Sequence, residues 1–479
     1  MSMIRARKTL RGTVAIPASK PDTQRALLLS ALADGASRIR RVNVCSESLL
    51  LREACGELGA RFRDFRDAGG DGIEVTGTGG RPARPATVLR TADSGYALRH
   101  LTAVAALVDG PCVITGGRGL AARPIAPLVE SLAALGARLE SADPALVLPL
   151  IVWSGELVGG AVRVPAAETS QFASAVMLVA PYAAAPVTIT LPPPVVGAGY
   201  IRLTAELMRR FGARVTTAAD LSRVVVEPGG YRGTDLTVGP DATSLFYFLA
   251  AAVVADTDIL VTDVTLGADP FVDTVVALGR RLGVRVTQAG RDIRIASGPP
   301  PAGLTEIDAA AVPTLIPALA AIAGDLPGGM RLRGARHVRH HKTSRLATVM
   351  AELAVLHRPL LPVYDGQELD GFETAGRPEP PGPMAGLDGT RVGGRARQVA
   401  RRALQVDSHG DHRNFMALYL AALTLAESVE IAGEQTLATS FADFVGCFES
   451  LARARPVHPD HHARPARSAA RPQQIGSHP

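Results

Sequence analysis

One phrase recurs along this chain and restricts its fold more than any other feature. An amphipathic helical stretch ends in Leu or Phe, then Gly, a small residue and Arg, and a β-branched or aromatic run follows. The copies read ACGELGARF at Gly59, SLAALGARL at Gly136, LMRRFGARV at Gly212 and GRRLGVRV at Gly283, roughly 70 to 77 residues apart. Glycine there supplies the left-handed C-cap that stops a helix, because it has no Cβ to clash at positive φ. The run after it alternates as a half-buried strand does. The unit is therefore helix, tight turn, strand. A fifth copy, AELAVLHRPL, has lost its glycine.

Further strands, GPCVITG, APVTITLP and DTDILVTD, lead from one helical stretch into the next, so the chain reads as mixed α/β units repeated around each domain. With 479 residues, 47% of them hydrophobic, it can fill two or three compact units. Two stretches fall outside this pattern. The Pro- and Gly-rich segment from Gly371 to Gly394 reads as a mobile surface insertion, and 456–479, almost without apolar residues, as a disordered tail.

Composition narrows the function. Cys45, Cys55, Cys112 and Cys447 lie far apart with no CxxC pair, which indicates neither a zinc site nor a disulfide framework and suits a reducing compartment. The basic N-terminus lacks an apolar stretch behind it and no run is long enough to span a bilayer, so the expectation is a cytoplasmic protein with no membrane partner. A net charge of +6 could suggest nucleic acid, but aromatics are only 4% and the arginines are scattered. Small anionic substrates account for the excess equally well. Only Lys8, Lys20 and Lys342 are lysines, so a single arginine carries little weight here and Lys20 and Lys342 carry more.

The polar clusters precede apolar helices. IPASKPDTQR places Lys20 and Arg25 at a strand–helix junction, where free N–H groups and two cations suit an anion. RTADSGYALR sets Asp93, Ser94 and Gly95 ahead of a helix carrying Arg99, and Arg123 stands before Pro124, which suits a first helical turn. In AAETSQF, Thr169, Ser170 and Gln171 offer hydroxyls, an amide and backbone N–H groups that can cradle phosphate, although the same residues serve as ordinary N-caps. GPDATSLFYF repeats the pattern with Asp241, RHVRHHKTSR clusters Arg339, His340, His341, Lys342 and Arg345, and SHGDHRNF carries Asp411, His412 and Arg413. The expectation is that these helix N-termini converge on one anion-binding cleft.

In this order, and over nearly the whole chain before the tail, the segments resemble the EPSP synthase (3-phosphoshikimate 1-carboxyvinyltransferase) family of enolpyruvyl transferases. The resemblance implies a two-domain inside-out α/β barrel, each domain three repeated βαβαββ-type units, with 19–238 forming one domain and 1–18 with 239–455 the other. It implies a cleft closing over phosphoenolpyruvate and shikimate 3-phosphate or an analogue, in a monomer that needs no cofactor and no metal.

Residue by residue, PASKPDTQR stands for the family's PGSKSxSxR, keeping Lys20 and Arg25 and departing at Pro21. Arg25 would grip a shikimate carboxylate. ADSGYALR stands for GNAGTxxR, keeping Gly95 and Arg99 with Asp93 in place of asparagine. Thr169, Ser170, Gln171 and Phe172 stand for SSQF, which holds the shikimate phosphate and phosphoenolpyruvate. Tyr200 matches a substrate-binding tyrosine, and Gly197 replaces a phosphate-binding serine. Arg123, Arg345 and Arg413 match the three arginines that clamp phosphoenolpyruvate.

The departures are as specific. Thr314 occupies the position of a proposed general base, normally Asp. In RHHKTSR, against the family's RxKExDR, His341 and Lys342 replace Lys and Glu, and Ser344 replaces Asp; Thr439 stands where a late lysine is expected. The transfer needs a proton delivered to the methylene carbon of phosphoenolpyruvate and one removed from the attacking hydroxyl. Lys20, His341, Lys342 and His412 are the candidates for that work, with Thr314 and Asp411 among the substrate-binding set. Three activities remain open: enolpyruvyl transfer by a specialised paralogue, elimination of phosphate or water from a phosphoshikimate-like ligand, and binding without catalysis.

Overall fold

The structure is a computed structural model that describes residues 2–4, 8–67, 69–143, 146–153, 156–340, 343–375, 403–425 and 427–453. The repeated glycines behave as their position demands. Gly59, Gly136, Gly212 and Gly283 take φ of 96°, 104°, 89° and 91°, and they end the helices Ser46–Glu57, Ala126–Ala134, Ala198–Arg210 and Pro270–Arg281. Strands Arg61–Asp67, Arg138–Asp143, Val215–Thr217 and Arg285–Ala289 follow. The fifth copy keeps the geometry without the glycine: after the helix Arg345–Val355, His357 itself adopts φ 58°, a conformation costly for a side chain with a Cβ.

Among the described residues six small sheets result. Five have four strands in one common order, a parallel pair followed by an antiparallel hairpin, as in Leu89–Arg90, Cys112–Thr115, Leu146–Trp153 and Arg138–Asp143. In the sixth, Leu404–Asp407 runs parallel to Val429–Ala432, and the N-terminal strand Ser2–Ile4 takes the antiparallel third place. In four of these sheets a helix joins the strands of the parallel pair, because a parallel crossover needs that length of chain.

Two strands belong to sheets other than those their sequence neighbours enter. Thr9–Ala15 leads into the helix Lys20–Leu32 but pairs with Asp256–Thr262, while Asp235–Thr237 leads into the helix Ala242–Val254 but pairs with Ala36–Arg40. The connections meet where they cross, with Ser19 N donating to Gly239 O at 2.7 Å and Asp241 N to Pro17 O at 2.9 Å. Buried apolar side chains accordingly form two cores, one running from Ala26 to Val238, the other joining Ile4–Ile16 to residues from Ala242 to Leu451.

Three helices lie innermost in each core: Lys20–Leu32, Gly95–Ala105 and Gln171–Val179 in the first, Ala242–Val254, Ile316–Ile322 and His412–Ala422 in the second. They are apolar on nearly every side, as helices surrounded by protein must be. Except at the last two residues of Ala242–Val254, the positions left partly open fall in their first turns, at Pro21, Asp22, Gln171, Thr243 and Arg413. Helices inside and sheets outside make the inside-out α/β architecture.

The Pro- and Gly-rich segment begins later than its composition implies. Gly371 lies within the strand Glu368–Glu373, paired with Leu361–Asp365, and a Cβ there would collide with Leu332 O. Glycine at this place permits close strand packing rather than a loop. The remainder of that segment from residue 376, and the tail 456–479, lie outside the described residues.

Candidate active site

Between the two cores, the first turns of four inner helices, those beginning at Lys20, Gly95, Gln171 and His412, face a cavity of about 200 Å³. N-terminal helix dipoles and their unpaired N–H groups already favour anions at such a place. Of the residues singled out from sequence, Lys20, Arg25, Asp93, Gly95, Arg99, Arg123, Thr169, Ser170, Gln171, Tyr200, Thr314, Arg345, His412 and Arg413 line it. His341 and Lys342 lie outside the described residues.

On the bank formed by the first core, Arg25 Nε donates to Thr204 Oγ1 at 2.8 Å and Nη1 to Pro21 O at 3.0 Å. Its guanidinium lies 5.5 and 5.8 Å from the rings of Tyr96 and Tyr200. Arg99 Nη1 donates to Gln171 Oε1 at 2.7 Å and Nη2 to Pro124 O at 3.1 Å, which turns the Gln171 N–H₂ away from Arg99. Burial, and then the charge of Arg123, lowers the Arg99 pKa to about 10. A Cβ on Gly95 would lie 3.0 Å from Arg99 Nη1 and 3.1 Å from Arg123 Nη1, so glycine is what lets two cations approach this helix start. Thr169 Oγ1 accepts from Gln171 N at 3.2 Å, while Ser170, at the N-cap position, makes no side-chain cap bond. Pro124 is not in a first helical turn: the helix begins at Ala126 with Pro127 in that role, and Arg123 sits on the connection before it.

On the facing bank, Arg345 Nε donates to Asp411 Oδ2 at 2.8 Å, and its Nη2 lies 2.7 Å from the same oxygen. Asp411 is fully buried and also accepts from Arg413 N at 2.8 Å. Burial opposes its ionisation, but the Arg345 guanidinium and these bonds prevail and hold the carboxyl well below the usual carboxylate range. Asp411 therefore does not line the cleft as a substrate ligand would; its oxygens are taken up in orienting Arg345 and capping the helix His412–Ala422. Arg413 Nη1 donates to Thr314 O at 3.2 Å. Burial and the nearby Arg345 charge lower the pKa of Arg123, so guanidinium groups from opposite banks repel until an anion lies between them.

Lys20 and His412 meet at Thr439. Lys20 Nζ donates to Glu47 Oε2 at 2.9 Å and to Thr439 O at 3.0 Å. His412 Nδ1 lies 3.0 Å from Thr439 Oγ1, whose own O–H donates to Thr436 O at 2.8 Å. The hydroxyl thereby ties the His412 ring to the turn Thr436–Thr439.

Sequence reading missed two carboxylates and a histidine in the lining: Glu47, Glu168 and His337. Glu168 stands directly before Thr169, with Oε1 3.7 Å from Arg339 Nη2 across the cleft. His337 Nδ1 bonds Gly334 O at 3.0 Å, and burial lowers its pKa to about 4. Both were visible inside quoted motifs, whereas Glu47 declares itself only through Lys20. The four cysteines are free and buried. Among the described residues no group of three His, Cys, Asp or Glu side chains is placed to hold a metal, and no helix is long and apolar enough to cross a membrane.

Comparison with known proteins gives a consistent result. A sequence profile of the family "EPSP synthase (3-phosphoshikimate 1-carboxyvinyltransferase)" matches residues 4–448. A 3-phosphoshikimate 1-carboxyvinyltransferase of Methanothermobacter thermautotrophicus is 30% identical over 448 residues, covering 92% of this chain and 97% of that protein. One from Halorubrum lacusprofundi is 31% identical over 464 residues, covering 92% and 96%. Among solved structures, EPSP synthase from Acinetobacter baumannii superposes with a TM-score of 0.71 at 21% identity, over 94% of this chain and 97% of the other, a likeness of fold.

Proposed function

This chain belongs to the EPSP synthase family, and from that premise we propose that it transfers the enolpyruvyl (carboxyvinyl) group of phosphoenolpyruvate to a hydroxyl of a shikimate 3-phosphate-like acceptor. The observation that carries this reading is the gathering of Arg123, Arg345 and Arg413, far apart in sequence, into one cleft with Arg25 and the Thr169–Ser170–Gln171 turn. Three guanidiniums suit a ligand bearing both a phosphate and a carboxylate, and the helix start at Gln171 suits a second phosphate. Arg25 would hold the acceptor's carboxylate beside Tyr200.

Segments 19–238 and 1–18 with 239–455 would act as domains that close once ligand charge relieves the repulsion between the banks. The protein would work as a monomer in the cytoplasm, where free buried thiols stay reduced. The reading requires no organic cofactor or metal. Lys20 and His412, joined through Thr439 and lining the same cleft as the clamp, would deliver the proton to the methylene carbon.

Mass spectrometry after incubation with phosphoenolpyruvate and shikimate 3-phosphate tests the proposal. The expected result is release of inorganic phosphate and an acceptor heavier by one carboxyvinyl group, with the reaction lost in Lys20→Ala. Phosphate released without phosphoenolpyruvate, from an acceptor that loses mass, would mean elimination instead. Calorimetric binding of both ligands without turnover would mean a binding protein.

A further inference from the structure

Enolpyruvyl transfer must remove a proton from the attacking hydroxyl, and the position where the family's proposed carboxylate base is expected holds Thr314. A threonine hydroxyl cannot retain that proton, but it can pass one on while accepting another. Thr314 Oγ1 faces the cleft, 3.5 Å from the Tyr200 hydroxyl, and lies 3.2 Å from Thr243 Oγ1. Thr243 occupies the first turn of the helix Ala242–Val254 and borders a second, small cavity behind the cleft. That cavity measures about 20 Å³, room for one water molecule.

Three carboxylates border it: Asp22, Asp241 and Asp269. Two are committed to backbone. Asp241 accepts from Lys20 N at 3.1 Å and Ser244 N at 2.7 Å, and Asp269 from Phe271 N at 2.7 Å and Val272 N at 3.3 Å. Asp22 caps no helix. It also borders the wider cavity of about 640 Å³ beside the chain crossing, which offers its proton an exit.

We propose that Thr314, Thr243 and Asp22 form a proton relay that deprotonates the acceptor, with Asp22 as its terminal base. The inference rests on the enolpyruvyl-transfer reading. As the acceptor oxygen bonds to C2 of phosphoenolpyruvate, its O–H bond breaks and that proton passes to Thr314 Oγ1. Thr314 gives its own proton to Thr243 Oγ1, and Thr243 gives its proton through the small cavity to the Asp22 carboxylate, so both threonines end as hydroxyls and Asp22 ends protonated. Thr243 and Asp22 act through Thr314 rather than touching substrate.

The surroundings of Asp22 suit an acceptor that works near neutrality. Burial pushes its pKa up to about 7; the Ser19 hydroxyl bond opposes this, the Asp269 charge adds to it, Arg25 opposes and Asp241 adds. These groups come from its own helix start, from the crossing segment and from the start of the helix Pro270–Arg281, while Tyr200 and Thr243 complete the wall. Because the carboxylate must be ionised to accept, turnover should rise with pH through about 7.

The test is the pH dependence of kcat in the full-length chain with phosphoenolpyruvate and shikimate 3-phosphate. Asp22→Asn should flatten the ascending limb and lower kcat tenfold or more at pH 8, with both KM values within about twofold. Thr243→Val should do the same at nearly constant shape, and Thr243→Ser should restore the limb. Thr314→Asp, which returns a base to the cleft, should make kcat insensitive to Thr243→Val. An ascending limb that survives in Asp22→Asn and Thr243→Val overturns the relay and leaves the transfer reading intact. No carboxyvinyl product from the unsubstituted chain overturns both.

Discussion

On one bank of the cleft, Arg99 is held by Gln171 and Pro124 O, and Arg25 by Thr204 and Pro21 O, so both guanidiniums are fixed in place. On the facing bank, Asp411 holds the Arg345 guanidinium and the backbone N of Arg413, but Thr314 and Thr439 stand where the family resemblance leads one to expect an aspartate and a lysine. The difference teaches that grip and chemistry are separable. Anion binding needs cations held at set places by buried partners. Proton movement needs only a connected path with a group of suitable basicity at its end, and such a path can be moved.

The sharpest way to break this comparison is Asp411→Ala. It strands the buried Arg345 without its carboxylate, which should cost about 3–5 kcal/mol of stability in urea unfolding and weaken phosphoenolpyruvate binding at least a hundredfold by calorimetry. Because the Asp411 pKa is depressed in the fold, its contribution is present above the ordinary carboxylate pKa of about 4 and is lost as pH falls through the lower folded value. Wild-type stability should therefore fall toward that of the variant in acid; a constant gap would show that the pair acts through packing.

Next in size, Arg99→Lys removes a two-pronged donor from Gln171 and Pro124. It should raise the acceptor KM about 10- to 100-fold with kcat changed less than threefold; an equal fall in kcat would mean that this bank takes part in the chemistry. Gly95→Ala sharpens the same point more gently. Its Cβ presses on Arg99 and Arg123, and steady-state kinetics should give a KM for phosphoenolpyruvate raised about tenfold while the melting temperature hardly moves. The smallest effect lies away from both banks. His357→Gly relieves a left-handed histidine and should add about 0.5–1 kcal/mol of stability without touching kinetics.

Much of the architecture was readable because its punctuation is local. Each of four glycines ends a helix by a rule that needs only neighbouring residues, and His357 escaped because only coordinates reveal a histidine performing that task. Most helix starts were legible for the same reason, and with them Lys20 and the Thr169 turn, although the helix after Arg123 begins two residues later than Pro124 suggested. Glu47, His337 and Asp22 were not. Glu47 acquires meaning from Lys20 and Thr439, and Asp22 from Asp241 and Asp269, more than two hundred residues away. Gly371 shows the opposite failure, a glycine whose loop signal yields to strand packing.

The exchange of strands at the crossing also sets the order in which a growing chain can finish its parts. Everything that the first core requires has left the ribosome once Asp235–Thr237 emerges to pair with Ala36–Arg40, so that half can mature early. The other half takes in Ser2–Ile4, which must wait for Val429–Ala432 at the far end of the described strands. Its earliest segment remains an unmatched edge through most of translation, and premature termination would deprive it of the strand it needs while leaving the first core whole.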